Sequence, residues 1–188
     1  MHRKHLRLKH YNYGLAGFYF VTVCVAARRP LFGRIDAGLM NLNPAGKMVA
    51  SIWSDLPNHF NPIQLHDFIV MPNHFHGIIQ IHADHVEAPL VGALVDNDFS
   101  NLTNVSKIAA ASVSRPAVLG EIVGAFKSLT TNAYIKGVKE NGWLEFDKKV
   151  WQRNYYEHVI RNEESYRVIS EYIQTNPQRW KDDTYFVS

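Results

Sequence analysis

The sequence predicts an α+β fold, in which an antiparallel sheet is covered on one face by two helices and a further helix follows at the C-terminus. Two observations predict it. Apolar β-branched segments and amphipathic helical segments follow one another in the order strand, helix, strand, strand, helix, strand, helix. In addition, 46% hydrophobic and 12% aromatic residues in a chain of 188 residues are enough for one packed core. The βαββαβ order is typical of a ferredoxin-like sandwich, so we expect residues 1–188 to form a single domain.

The first half of the predicted fold begins with a strand at residues 18–27, where aromatic and β-branched residues form an apolar run. Residues 39–43 are expected to form a short strand or a loop. The first helix is predicted to start at Asn43 and Pro44, because asparagine caps a helix N-terminus and proline suits its first turn. Its apolar residues lie on one face as far as about His59.

Two strand segments, 64–70 and 75–81, lie on either side of a Met-Pro-Asn sequence. They form either a hairpin or one long strand broken at Pro72, since proline cannot donate a hydrogen bond to a sheet ladder. The following stretch, 83–117, is rich in Ala, Ser, Asn, Asp and Val and has no clear period. It is therefore expected to be a flexible insertion between core elements.

The second half of the chain predicts three more elements. An amphipathic helix is expected at residues 119–138 and a strand at 150–160. The last helix is predicted over residues 163–175, because Asn176 and Pro177 end it. This terminal helix is where we expect the remaining chemistry of the chain.

Composition and charge exclude several classes of protein. No apolar run approaches the ~20 residues that span a bilayer, and no secretory cleavage signal follows the first apolar stretch. The single cysteine, Cys24, excludes an internal disulfide and a thiolate zinc cluster. We therefore expect a cytoplasmic protein with no membrane partner. The net charge of +3 is modest, but basic residues collect near the N-terminus and between Arg153 and Lys181, where they could track a phosphate backbone.

His74 and His76 are the most informative residues of the chain. They lie in an apolar, β-branched run, and side chains at positions i and i+2 of a strand leave the same face. Imidazole is the commonest metal-ligating side chain, so the pair forms half of a divalent-metal site. The alternative is two ordinary histidines on a solvated strand face, and the pair alone does not decide between them.

The terminal helix adds two residues to this hypothesis. Tyr172 and Asn176 are four positions apart, so both lie on one helical face. Periodicity alone favours Tyr172 as a core aromatic residue and Asn176 as a helix-end cap. Combined with the histidine pair, however, the asparagine amide oxygen is a suitable third ligand for Mg²⁺ or Mn²⁺. A metal beside a tyrosine hydroxyl is a minimal phosphoryl-transfer site.

Two segments resemble a known family of enzymes. The sequence MPNHFHGII resembles the histidine–hydrophobe–histidine motif of the HUH single-tyrosine transposases. The sequence VWQRNYYEHVIRNEESYRVISEYIQTNPQRW is similar to the C-terminal signature of one branch, the REP-associated tyrosine transposases, and YNYGLAGFYFVTVCVAARRPLFG is similar to that branch as well. The resemblance covers nearly the whole chain except residues 83–117.

The resemblance implies an enzyme that cuts one strand of single-stranded or hairpin DNA, leaves a 5′-phosphotyrosine and a free 3′-OH, and rejoins strands by a second attack. Matched by position, it implies Tyr172 as the nucleophile and His74, His76 and Asn176 as ligands of Mg²⁺ or Mn²⁺. It implies no energy cofactor, because the phosphotyrosine conserves the bond energy. Related enzymes are monomers or homodimers, so the sequence leaves open whether Tyr172 meets the histidines within one chain.

A further set of basic and aromatic residues is predicted to contact DNA, namely Lys127, Arg153, Tyr156, His158, Arg161 and Arg179. Tyr155 and Tyr156 point to opposite faces of their predicted strand, so one is a core residue and the other a base-stacking platform. Tyr166 lies six residues before Tyr172 and is therefore expected on a different face of the helix, which favours Tyr172 as the nucleophile.

Two other functions stay open at this stage. One is a hairpin-DNA-binding regulator of the same fold that no longer cuts. The other is a metal-dependent hydrolase that uses His74 and His76 with water as the nucleophile. For two of the predicted DNA contacts the alternatives are simpler, a structural role for His158 and plain solvation for Lys127.

Overall fold

The computed structural model describes residues 16–83 and 118–186 of the chain. Its elements, in chain order, are β1 (Gly17–Cys24), β2 (Gly33–Asp36), β3 (Leu39–Leu42), α1 (Pro44–Asp55), β4 (Ile63–Val70), β5 (His74–Ile81), α2 (Leu119–Asn141), β6 (Tyr156–Ile160) and α3 (Glu163–Thr175). A 3₁₀ turn over Asn176–Asp182 continues α3. Apart from Ala83, the predicted insertion at 83–117 lies outside the described residues.

The main sheet has four strands in the order β4-β5-β1-β6, and each neighbouring pair is antiparallel. With α1 and α2 as the connecting helices, the predicted α+β sandwich is confirmed. The segments on either side of the Met-Pro-Asn sequence form the β4–β5 hairpin rather than one broken strand. A separate hairpin of β2 and β3 precedes α1, and of its two strands only β3 was expected.

The two faces of the sheet carry different layers. Along β5, Phe75 faces α1 and α2, and its ring centroid lies 4.4 Å from that of Trp53 and 5.0 Å from that of Phe126. These aromatic residues belong to the main hydrophobic core. Because side chains alternate along a strand, His74 and His76 leave the opposite face, which α3 covers. The fold therefore separates the structural core from the layer that carries the histidines.

Gly77 lets the main core approach the histidine-bearing strand closely. A Cβ atom at this position would lie 2.5 Å from the Trp53 ring and 2.9 Å from the Phe75 ring. Glycine is thus required here by the close approach of a large side chain to the strand backbone. The indole of Trp53 consequently supports β5 from the face opposite the histidines.

Four predicted boundaries were wrong. The strand predicted at 18–27 ends at Cys24, because the chain turns into a 3₁₀ turn over Ala26–Arg28, and the helix predicted at 119–138 continues to Asn141. The other two also have local causes. The first helix ends at Asp55 instead of about His59, because Pro57 lacks an amide hydrogen and the chain tightens into a 3₁₀ turn. The predicted strand at 150–160 begins only at Tyr156.

No helix within residues 16–83 and 118–186 is long and apolar enough to cross a membrane.

The residues before β6 form a loop that is fixed against α2. Val150 and Trp151 are both buried, which a strand with one solvated face would not allow for neighbouring residues. The Trp151 indole Nε1 donates to Thr130 Oγ1 at 2.8 Å. A single bridge between Val25 and Trp151 extends the sheet edge at this point. The loop therefore packs as part of the core although it is not part of a strand.

Candidate active site

His74 and His76 form a buried pair between the sheet and α3. Their side chains are 0% and 1% exposed, and their ring centroids lie 4.6 Å apart. Each ring holds one polar partner through Nδ1, which leaves the two Nε2 atoms for other contacts. His74 Nδ1 lies 2.9 Å from Asn73 Oδ1, and His76 Nδ1 lies 2.7 Å from Thr22 Oγ1. The pair is therefore oriented by groups of β1 and of the β4–β5 turn.

Asn73 determines which nitrogen of His74 carries the proton. The Asn73 amide nitrogen donates to the backbone oxygens of Arg28 at 3.0 Å and of Tyr185 at 2.8 Å, so the amide cannot be flipped without losing both bonds. Its Oδ1 is then an acceptor only, and His74 must donate to it from Nδ1. His74 Nε2 is left with a bare lone pair, and it is buried with no hydrogen-bond partner among residues 16–83 and 118–186.

Thr22 supports His76 from the neighbouring strand. The two residues are directly opposite in the β1–β5 register, and Thr22 is buried. On the other side of the ring, the Tyr172 hydroxyl lies 3.3 Å from His76 Nε2. When this hydroxyl donates to Nε2, His76 carries its proton on Nδ1 and donates to Thr22 Oγ1. Both histidines then present the Nε2 lone pair to the same space.

Burial keeps both imidazoles neutral. It lowers the pKa of His74 to about 4. The negative charge of Asp183 opposes this shift, and the positive charge of Arg28 adds to it. Burial, followed by repulsion from His74, holds the pKa of His76 well below its usual value. Neutral imidazole is the form that ligates metal ions. The two histidines are therefore ready to act as ligands at neutral pH.

Asp183 supplies a carboxylate to the same space. His74, His76 and Asp183 each offer one ligand atom, and these three atoms lie within 4.8 Å of one another. This group could hold a metal ion. Asp183 was not predicted from the sequence, because Asn176 and Pro177 indicate the end of the helical structure there. The 3₁₀ turn over Asn176–Asp182 instead brings the chain back towards the histidines.

Asn176, the predicted third ligand, lies beside Asp183. Its side chain is 1% exposed, and its amide nitrogen donates to Asp183 Oδ2 at 3.1 Å. Its Oδ1 is buried and has no hydrogen-bond partner among the described residues. Two buried acceptors without partners, Asn176 Oδ1 and His74 Nε2, thus accompany the carboxylate. A set of imidazole nitrogens, a carboxylate and an amide oxygen fits a divalent metal ion.

Tyr172 meets the histidine pair within one chain. Its ring lies edge-on to His76, with 5.3 Å between centroids and 64° between planes. The phenol is half-buried, and burial raises its pKa above the usual value, with a further increase from Asp183 and an opposing hydrogen bond from Asn176. The hydroxyl is therefore protonated at neutral pH in the absence of a metal.

The position of Tyr172 follows from how α3 is fixed to β4. The β4–β5 register shifts between Leu65 and Phe68, which is a β-bulge. A bulge adds one residue to a strand, so His66 and Asp67 can both face α3. Asp67 accepts hydrogen bonds from Ser170 Oγ at 2.5 Å and from a nearby glutamine, Gln174, at 3.2 Å. These contacts lie on both sides of Tyr172 along the helix.

Tyr166 adds a second contact at the other end of α3. Its hydroxyl lies 3.1 Å from His66 Nδ1, and its ring packs against Phe18 and His66. The expectation that Tyr166 lies on a different face from Tyr172 was wrong, since both pack against the sheet. Tyr166 nevertheless lies away from the histidine pair, so it is not placed to compete as a nucleophile.

Tyr185 is a second tyrosine close to the pair, and no sequence motif indicates its position there. Its ring centroid lies 4.6 Å from that of His74 and 6.2 Å from that of His76. Its hydroxyl, however, forms a side-chain hydrogen bond with Cys24, and burial strongly raises its pKa. Among the described residues, Tyr172 is therefore the tyrosine whose hydroxyl contacts a nitrogen of the His74–His76 pair.

The predicted DNA-contacting residues fall into two groups. Tyr156 and His158 are exposed on β6 opposite Thr22 and Phe20, so they share the sheet face of the histidine pair. Of the other four, Arg153, Arg161 and Arg179 are exposed and Lys127 is half-buried. The alternative of plain solvation for Lys127 is wrong, because its ammonium donates to the Gln152 and Arg153 backbone oxygens.

No family model matches the chain. The chain is 39% identical over 186 residues to an uncharacterized protein of Haemophilus influenzae, and this similarity covers 99% of this chain and 94% of that protein. It is also similar to a solved REP-associated tyrosine transposase bound to a REP hairpin, with a TM-score of 0.53 and 20% identity over 92% of this chain and 73% of that one. At this identity the likeness shows the fold, as the sequence resemblance predicted.

Proposed function

Because this chain belongs to the same family as the Haemophilus influenzae protein and has the fold of a REP-associated tyrosine transposase, we propose that it cleaves and rejoins single-stranded or hairpin DNA through Tyr172. The observation that carries the proposal is the 3.3 Å contact between the Tyr172 hydroxyl and His76 Nε2 within one chain. A hydroxyl nucleophile is thereby adjacent to a buried group of metal-ligating atoms.

The chemistry that this site supports is an in-line displacement at a DNA phosphate. The Tyr172 oxygen attacks the phosphorus, the bond from phosphorus to the 3′-oxygen breaks, and a 5′-phosphotyrosine remains on the protein. The proton lost by the phenol is balanced by the proton gained by the leaving 3′-oxygen. Attack of a 3′-OH on the phosphotyrosine reverses these bond changes, so strands are rejoined without an energy source.

His74, His76, Asp183 and Asn176 are the residues that would hold a divalent metal, proposed to be Mg²⁺ or Mn²⁺. When bound, such an ion supplies Lewis-acid polarisation of a phosphate oxygen. The protein supplies orientation, because Asn73 and Thr22 fix the two imidazole rings. It also excludes water from around the histidines, which favours a nucleophile held by the protein.

The proposal is tested by incubating the protein with fluorescently labelled hairpin oligonucleotides and Mn²⁺, followed by a denaturing gel. We expect a covalent protein–DNA adduct that Tyr172→Phe abolishes and that chelation of the metal prevents. Tyr185→Phe is the matched control, since it removes a second tyrosine hydroxyl near the histidines that contacts Cys24 instead.

Three results would contradict the proposal. Cleavage without an adduct indicates a hydrolase that uses water. Tight hairpin binding without cleavage indicates a DNA-binding regulator of the same fold. An adduct that persists in Tyr172→Phe and disappears in Tyr185→Phe would show that Tyr185, and not Tyr172, is the nucleophile.

A further inference from the structure

A basic pocket lies between α2 and the loop that precedes β6. Its volume is about 440 Å³, and it is open on one side. Four cationic side chains line it, and no carboxylate does so among the described residues; the four are Lys127, Lys148, Lys149 and Arg153. Hydroxyl and amide side chains of α2 add neutral donors to the wall. Such a lining matches the donors that proteins use to bind phosphate groups.

Lys127 forms the floor of the pocket. Its ammonium donates to the backbone oxygens of Gln152 at 2.7 Å and Arg153 at 2.9 Å, which fixes the loop against α2. An ammonium carries three donors, so one is left after these two bonds. Burial and then the nearby positive charge of Lys149 lower the pKa of Lys127. The cations therefore repel one another, and an anion in the pocket would relieve that repulsion.

Lys148 is held in an unfavourable backbone conformation beside these charges. Its φ is 57°, in the left-handed region that favours glycine. The side chain is exposed, so packing does not account for a lysine at this position. Backbone strain at a non-glycine residue often marks a functional site, and here the residue that carries it contributes a positive charge to the pocket.

The pocket lies within short reach of the histidine pair. Tyr156, Thr22 and His76 are register partners across β6, β1 and β5, so two strand spacings of about 4.8 Å each separate Tyr156 from His76. Arg153 precedes Tyr156 by three residues, which is at most about 11 Å of chain. A DNA segment that crosses the open edge of β6 could thus contact both places.

We propose that this pocket binds backbone phosphates of the DNA that Tyr172 attacks, with Lys148, Lys149 and Arg153 as the phosphate contacts. This inference rests on the proposed function for the identity of the anion. The exposed Tyr156 lies between the pocket and the histidine pair, where an aromatic side chain offers a surface on which a base can stack. DNA then passes around the edge strand rather than along the α3 face alone.

The test compares two double variants that each remove two positive charges. Lys148→Gly with Lys149→Ala removes pocket cations, whereas Lys47→Ala with Lys139→Ala removes exposed lysines outside the pocket. Binding of a labelled hairpin oligonucleotide is measured in metal-free buffer at several salt concentrations. Each lost phosphate contact reduces the slope of log affinity against log salt by about 0.7 to 0.9, so the pocket variant is expected to lose about 1.5 from its slope. The control variant is expected to keep the slope of the wild type.

Lys148→Gly should not destabilise the fold, because glycine adopts the left-handed backbone conformation of residue 148 without strain. A loss of DNA binding in this variant is then not a consequence of unfolding. The pocket variant should therefore unfold at a temperature no lower than the wild type while binding DNA more weakly. Equal salt slopes for the two double variants would overturn the pocket assignment, even if the wild type forms the Tyr172 adduct. Failure of the wild type to bind or cut any hairpin would overturn the proposed function and this inference with it.

The same experiment distinguishes other anions. If inorganic phosphate at constant ionic strength displaces the oligonucleotide in the wild type but not in the pocket variant, the pocket is a site for a free anion. If an RNA hairpin binds more tightly than its DNA counterpart and the pocket variant loses that preference, the partner is RNA. Either result would overturn the DNA assignment.

Discussion

Asn73 controls the chemistry of the site although it is neither a proposed ligand nor the nucleophile. One amide group joins the Arg28 backbone, the Tyr185 backbone and the His74 ring. Since both donors are used on carbonyl oxygens, the amide oxygen accepts from His74 Nδ1 and leaves Nε2 as the atom that would ligate the proposed metal. The sequence places Asn73 directly before the histidine pair, and this adjacency is the one sign of its role.

Replacing Asn73 by leucine should weaken metal binding by about 10- to 100-fold, the usual cost of losing an outer partner of a ligating histidine. The reason is that His74 can then carry its proton on Nε2. Calorimetric titration with Mn²⁺ measures the affinity, and nitrogen NMR of the chelated protein reports the His74 tautomer. Asn58→Ala is the control, because Asn58 is exposed and its amide donates to Asp55, away from the histidine pair. An unchanged Nδ1–H tautomer in Asn73→Leu would contradict this role.

At the scale of single elements, α3 is positioned by the bulge in β4. Hydrophobic periodicity predicted α3 with its observed bounds, and Tyr172 and Asn176 fall on the face that approaches the histidines. The bulge could not be predicted, because His66 and Asp67 read as ordinary alternating residues of a strand. Their shared orientation depends on a register with β5 that is set by tertiary packing.

The contact between Asp67 and Ser170 should therefore stabilise the docked position of α3. A double-mutant cycle of Asp67→Ala and Ser170→Ala is expected to give a coupling free energy of about 1 to 2 kcal/mol, since the bond is partly buried and one partner is charged. Urea unfolding measures it. The exposed Asp55–His59 pair, 3.0 Å apart, is the matched control and should give a smaller coupling free energy, because solvent screens exposed charges.

Additivity in the Asp67–Ser170 cycle would show that the contact contributes nothing to docking. The adduct assay then gives a second result. Asp67→Ala should slow adduct formation with little change in hairpin affinity, because the bulge positions Tyr172, the proposed nucleophile, and not the proposed DNA contacts. A parallel loss of hairpin affinity would argue that Asp67 acts on DNA binding instead.

For the whole molecule, the alternation of apolar segments was sufficient to predict the sheet and its two covering helices. The path of the chain after α3 was not predictable from the sequence. It depends on contacts between residues distant in sequence, namely those of Asp183 with the β5 histidines and of Tyr185 with Cys24 at the end of β1. The strand order places β5 inside the sheet and β6 at its edge. The histidines are consequently shielded, while Tyr156 and the basic pocket stay accessible.

This shielding makes the stability of the metal-free protein depend on pH. His74 titrates at its usual value of 6.5 when unfolded and at about 4 when folded, so between these values the unfolded state binds more protons. Stability is therefore present above pH 6.5 and is lost as the pH falls towards 4. Between pH 7 and pH 5 His74 alone should remove about 2 kcal/mol from the free energy of unfolding, and His76 acts in the same direction.

Urea unfolding of the chelated protein at pH 7, 6 and 5 measures this loss, with His59→Gln as a control that removes an exposed histidine. This control leaves the buried pair intact, so a decline that persists in it has a source other than His59. A variant with His74→Gln and His76→Gln should show a nearly flat dependence over the same range. A flat dependence in the wild type would mean that the histidines are hydrated in solution, and that their burial between the sheet and α3 is not the resting state of the molecule.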